Sequence, residues 1–104
     1  MSRQSISPTH PSFLSSPEWR LLRQEALAIY DNECACCGAR SKRMNADHIV
    51  PRKADQALAL DIRNIQLLCP SCNKGKGNKD AIDFRSEKQK QIASEYALTK
   101  RNPA

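Results

Sequence analysis

Cys34-Ala35-Cys36-Cys37-Gly38 and Cys69-Pro70-Ser71-Cys72 bracket a segment that reads Ala46-Asp47-His48-Ile49-Val50-Pro51-Arg52. Each Cys-x2-Cys pair presents two thiolates to one tetrahedral ion at about 2.3 Å, a knuckle spacing that suits zinc. Core packing alone gives no reason for two such pairs at matching spacing. Cys34, Cys37, Cys69 and Cys72 are therefore expected to hold a structural zinc that staples a small domain around an adjacent acid and histidine. Cys36 is left over as a spare thiol.

The rest of the composition agrees with a stapled fold. The chain has 104 residues, 39% of them hydrophobic, and its aromatic residues are Phe13, Trp19, Tyr30, Phe84 and Tyr96. A core that small usually needs a disulfide or a metal to hold it, so chelation should unfold the protein. Five cysteines, four of them in tight pairs, suit a reducing compartment and a metal better than a disulfide framework. No run of eighteen apolar residues and no signal-peptide pattern is present, so neither membrane nor export is indicated and the cytoplasm is the expected location.

Net charge is +6 and unevenly spread, with −2 over residues 18–33, +3 over 34–68 and +4 over 69–104. Four thiolates around one zinc subtract two from the total, yet a positive surface remains, which favours a polyanionic partner; from composition alone, nucleic acid and a merely solubilising surface stay equally open.

Along the chain, the Ser- and Pro-rich residues 1–15 read as a flexible leader in which His10 is idle. Ser16-Pro17-Glu18 reads as a helix start, with serine as N-cap, proline in the first helical position and an acid in the first turn. Trp19, Leu22, Ala26 and Ile29 share one face of that helix, which should end near Asp31-Asn32. Short strands are expected at Met44–His48 and Ile65–Leu68, with one helical turn around Ala57–Leu60 between them. Cys69-Pro70 opens a second short helix with Gly77 as its stop. Ser86 to Lys100 reads as a polar helix, with Ile92, Ala93, Tyr96 and Ala97 on one side, that either docks or reaches out. The organisation is thus a leader over 1–15, a zinc-stapled domain with its N-terminal helix over 16–80, and a basic helical extension over 81–104. The fold class is small α+β.

An isolated Asp-His pair means little, because most histidines are surface or core residues with ordinary hydrogen bonds. Here the pair lies inside the zinc-stapled segment. If the Asp47 carboxylate binds a hard divalent cation, the neighbouring imidazole can take a proton from water, and the hydroxide can attack a phosphorus held by the same cation.

Over about residues 17–80, these features resemble the HNH endonuclease family of ββα-metal nucleases, in the version stapled by a four-cysteine zinc. The motifs that carry the resemblance are Trp19 and its helix, Cys34-x2-Cys37-Gly38, Ala46 to Arg52, Asn64-Ile65-Gln66-Leu67-Leu68-Cys69 and Cys72-Asn73-x2-Lys76-Gly77. The resemblance implies a ββα fold. It also implies His48 as general base, Asp47 as a ligand of the catalytic metal, and Asn64 as the residue that pins the loop so that His48 faces the phosphate. The third signature position, often histidine in the family, is Asn73, which makes the motif His-Asn-Asn. A neutral amide oxygen beside a carboxylate favours Mg2+ or Mn2+ over softer ions.

Arg52, Lys53, Lys74, Lys76 and Lys79 flank these elements and are expected to hold the phosphate backbone with salt-dependent, largely sequence-independent affinity. The expected function is metal-dependent hydrolysis of DNA, leaving a 5′-phosphate, by a monomer or weak dimer. Small free-standing members of this kind look like phage or prophage enzymes, some of which work with a terminase. The competing readings are a non-catalytic zinc-binding nucleic-acid module and a zinc-stapled adaptor for another protein, which would use Leu22 and Ile29 or Ile92 and Tyr96.

Overall fold

In the computed structural model, residues 7–77 and 81–101 are described. They form helix α1 (Pro17–Ile29), strand β1 (Asn45–His48), strand β2 (Ile65–Leu68), helix α2 (Pro70–Lys76) and helix α3 (Glu87–Arg101). Three-residue 3-10 turns at Phe13–Ser15, Gln56–Leu58 and Ile62–Asn64 link them.

Helix α1 begins where its cap residues dictate. The Ser16 side chain accepts a hydrogen bond from the Trp19 N–H, and Pro17, which has no N–H to satisfy, takes the first helical position. The helix stops at Asp31 and Asn32, both at φ 55°, a left-handed conformation that short polar side chains tolerate. Trp19, Leu22 and Ala26 are buried along its inner face and Ile29 is half-buried. They join Phe13, Tyr30, Cys34, Met44, Ala59, Ile62, Ile65, Leu67, Leu68 and Ala93 in one core.

The two strands pair antiparallel, with Asn45 opposite Leu68, Ala46 opposite Leu67, Asp47 opposite Gln66 and His48 opposite Ile65. All four residues of β2 are buried. Helix α2 follows directly, with Pro70 in its first turn, and closes at Gly77, whose φ of 74° and N–H to the Asn73 carbonyl at 3.1 Å form the C-terminal cap. Strand, strand and helix make the ββα unit.

Two flanking segments pack more closely than their composition suggests. Residues 7–15 contain turns, and Phe13 is buried against Trp19 with ring centroids 5.9 Å apart. A single aromatic in a polar stretch carries no periodicity, so its burial leaves no trace in the pattern. Helix α3 docks: Ser86 and Gln89 exchange hydrogen bonds at 3.2 Å in a capping box, Ala93 enters the core, and Tyr96 and Lys100 both meet Glu25 of α1.

Candidate active site and metal centre

The sulfur atoms of Cys34, Cys37, Cys69 and Cys72 all lie within 4.8 Å of one another. Cys37 Sγ and Cys69 Sγ are 3.8 Å apart, the edge length of a sulfur tetrahedron around an ion at about 2.3 Å. The first knuckle is shaped by Gly38 at φ 78°, whose N–H reaches the Cys34 carbonyl at 2.9 Å, and by the Cys37 N–H, which points at Cys34 Sγ. Burial raises the Cys34 thiol, but the N–H groups of Cys37, Cys69 and Cys36 outweigh it and bring it to about 6. Crowding against the Cys69 sulfur pushes Cys72 the other way. Four sulfurs this close hold four negative charges only if a cation shares them, so the residues fit a zinc ion. Cys36 is exposed and outside the cluster.

A second centre lies beyond the end of β1, in a cleft of about 560 Å³ bordered by Trp19, Arg23, Asp47, His48, Arg52, Lys53 and Asn73 together with Pro8, Thr9 and Leu14. Successive strand side chains face opposite ways. Asp47 accordingly turns toward Gln66 and Lys76, and His48 toward Trp19 and Ala59.

The His48 ring stacks on Trp19 with centroids 4.6 Å apart and 21° between planes. Its Nε2 is 2.9 Å from the Ala59 carbonyl, which can only accept, so Nε2 carries the proton and Nδ1 keeps its lone pair. Burial lowers the His48 pKa, the Ala59 carbonyl opposes this, and the Arg52 charge lowers it further. The net lowering favours the neutral ring.

Ala59 stands where it does because the 49–64 loop is tied at its neck. The Asn64 side chain accepts from the Val50 N–H at 2.9 Å and donates to the carbonyls of Val50 at 3.1 Å and Leu58 at 3.2 Å. The Ile49 N–H adds a bond to the Asn64 carbonyl at 2.9 Å. One buried amide thus anchors both ends of the loop that carries the His48 partner.

The Asp47 carboxylate accepts from Gln66 Nε2 at 3.0 Å and pairs with Lys76 Nζ at 3.1 Å. These bonds leave lone pairs on a carboxylate that has about four acceptor positions. Asn73, from the first turns of α2, borders the same cleft half-buried, and its side chain makes no hydrogen bond among the described residues. A carboxylate and an unengaged amide are hard oxygen donors and fit Mg2+ or Mn2+.

Lys76 departs from expectation. Its side chain is 1% exposed and its ammonium lies between Asp47 and the His48 carbonyl, so it is a buried counter-charge and cannot serve as a surface phosphate contact. The Cα position in the last turn of α2 directs it inward, across to β1. Arg52 borders the cleft but is held by the Pro8 carbonyl at 2.9 Å and lies over the Phe13 ring. Lys53 is exposed at the cleft. Lys74 is exposed on α2 outside the cleft lining, and Lys79 falls outside the described residues.

Arg23 is a cleft residue that motif reading overlooks. One of its Nη atoms donates to the Met44 carbonyl at 3.2 Å, and no carboxylate pairs with it among the described residues. Its position four residues after Trp19 puts it on the face of α1 turned toward β1, a signal available in the helical spacing.

Residues 34–79 match the model of the HNH endonuclease family, and the four cysteines fit its zinc-stapled type. No curated protein and no solved structure matches the chain. The match supports an HNH endonuclease domain over these residues and, with it, nuclease activity in general.

Proposed function

We propose, from the HNH domain over residues 34–79, that the protein is a metal-dependent DNA endonuclease that hydrolyses phosphodiester bonds. The observation that carries the reading is the geometry of His48: Nε2 is committed to the Ala59 carbonyl and Nδ1 is free, in one cleft with Asp47 and Asn73, while burial lowers its pKa. His48 Nδ1 takes a proton from water, the water oxygen bonds to phosphorus, and the P–O3′ bond breaks; the departing O3′ takes a proton from solvent water, leaving a 5′-phosphate and a 3′-hydroxyl. The Mg2+ or Mn2+ ion that Asp47 and Asn73 would hold supplies Lewis-acid stabilisation of the charge on the phosphate. Trp19 stacking and the Asn64-tied loop hold the imidazole in place, which keeps its proton transfer oriented.

Lys53, Arg23 and Arg52 supply positive charge along the cleft and position the strand through its phosphates without reading bases. Lys74 and Lys79 extend the same proposal beyond the cleft. One cleft per chain cuts one strand, so a monomer nicks and a weak dimer would break both. No helix among the described residues is long and apolar enough to cross a membrane; we place the enzyme in the cytoplasm, where its thiols stay reduced. A phage context and a terminase partner are supported by family habit alone.

A second reading has one observation in its favour: Lys76 already neutralises Asp47, as a protein that binds nucleic acid without cutting it would allow. End analysis separates the two. A nicked plasmid product sealed by DNA ligase with no prior end treatment carries the proposed 5′-phosphate and 3′-hydroxyl. Retarded but uncut DNA with every cation tried gives the binding module instead.

A further inference from the structure

Gln66 is completely buried, and its carboxamide has every hydrogen-bonding position but one committed to a named partner. Nε2 donates to Asp47 Oδ2 at 3.0 Å and to the Ile82 carbonyl at 2.8 Å, and Oε1 accepts from the Phe84 N–H at 2.9 Å. These contacts fix which end of the amide faces Asp47, because a carboxylate and a carbonyl both require a donor. Gln66 is also the direct cross-strand partner of Asp47, so the two side chains share one face of the sheet.

The residues gripping Gln66 from the other side lie beyond the HNH match, in the connection to α3. That connection is itself anchored: Arg85 donates to the Tyr30 hydroxyl at 3.2 Å, Tyr30 donates to the Ile65 carbonyl at 2.7 Å, and Asp83 pairs with Arg85 at 3.0 Å. Tyr30 ends α1 and Ile65 begins β2. A chain of hydrogen bonds therefore runs from α1 and the segment 82–85, through Gln66, to one oxygen of Asp47.

We propose that Gln66 is a positioning residue for the catalytic cation site, and that segment 82–84 belongs to the active unit because it sets the Gln66 amide. The inference rests on the reading of Asp47 as a ligand of that cation. With Nε2 on Oδ2 and Lys76 on the same carboxylate, the Asp47 side chain is held in one orientation at the border of the cleft it shares with Asn73. Loss of such an outer contact typically costs about 10- to 100-fold in metal affinity.

The test measures Mn2+ binding to the zinc-loaded full chain without DNA, by electron paramagnetic resonance of free Mn2+, for wild type, Asp47→Ala, Gln66→Met and Gln66→Glu. Zinc content and melting temperature identify folded variants. Asp47→Ala should abolish binding; Gln66→Met should weaken it about tenfold or more, and Gln66→Glu further, because it turns a second carboxylate toward Asp47. Wild-type affinity in a folded Gln66→Met protein, with binding lost in Asp47→Ala, overturns the Gln66 role and leaves the Asp47 reading intact. Wild-type affinity in Asp47→Ala overturns both. If neither Gln66 variant folds, the Gln66 Nε2 protons of the wild-type protein decide by NMR: they should shift on Mg2+ titration in step with Asp47, and their failure to move overturns the proposal.

Discussion

Asn64 and Val50 exchange two hydrogen bonds across the neck of the 49–64 loop, the Asn64 side chain accepting from the Val50 N–H at 2.9 Å and donating to the Val50 carbonyl at 3.1 Å. A carboxamide accepts with its oxygen while its two N–H groups donate to Val50 and Leu58. Asn64→Asp keeps the acceptor but loses the donors to Val50 and Leu58, so it should cost about 1–3 kcal/mol and lower cleavage by loosening the Ala59 carbonyl behind His48. Urea unfolding beside a plasmid-nicking rate checks this. A folded Asn64→Asp protein with the wild-type rate would remove the loop from the account.

His48 should govern the pH dependence. Burial lowers its pKa from the ordinary value near 6.5, so kcat/KM should rise with pH through a midpoint below about 6.5 and be flat by pH 7. The same shift affects stability. Between the lowered pKa and the ordinary one the unfolded chain binds more protons, so stability should rise with pH in that window, and His48→Gln should remove the slope. A rate midpoint above pH 7.5 would contradict the neutral-base assignment.

Thiol substitutions should split sharply. Cys69→Ser breaks the four-sulfur set and should unfold the domain, as should a strong chelator, because zinc binding in such small domains is folding free energy of order 10 kcal/mol. Cys36→Ser, exposed and outside the set, should change stability by no more than about 0.5 kcal/mol. Zinc content by mass spectrometry and far-ultraviolet circular dichroism read both.

Lys76 and Lys53 should behave as different kinds of residue. Lys76→Met leaves Asp47 buried without its counter-charge and should cost about 3–5 kcal/mol in stability. Lys53→Ala should leave stability alone and reduce the slope of log affinity for DNA against log salt by about 0.9. A salt titration of DNA binding, with thermal melts of both proteins, separates them.

Local signals were legible because their physics is local. Ser16-Pro17 caps a helix wherever it occurs, paired cysteines carry their own geometry, and the strand and helix bounds follow the apolar pattern to within one residue at Asn45, Ile65 and Pro70. The burial of Lys76 was hidden because a lysine next to a glycine reads as surface until the helix is laid across β1. The Gln66–Asp47 contact depends on strand register, which no single strand encodes. Phe13 entered the core and Arg23 the cleft through tertiary packing of α1 and the turn before it, beyond the reach of a motif centred on residues 34–79.

The central claim is that His48 activates water for cation-dependent DNA cleavage. Its most direct test is conversion of supercoiled plasmid by the zinc-loaded protein with Mg2+, Mn2+ or EDTA, wild type beside His48→Ala. The account predicts nicking by wild type with either cation, none in EDTA, and none by a folded His48→Ala protein that still binds DNA. Equal nicking by both proteins, or DNA binding without cleavage by either, would contradict it.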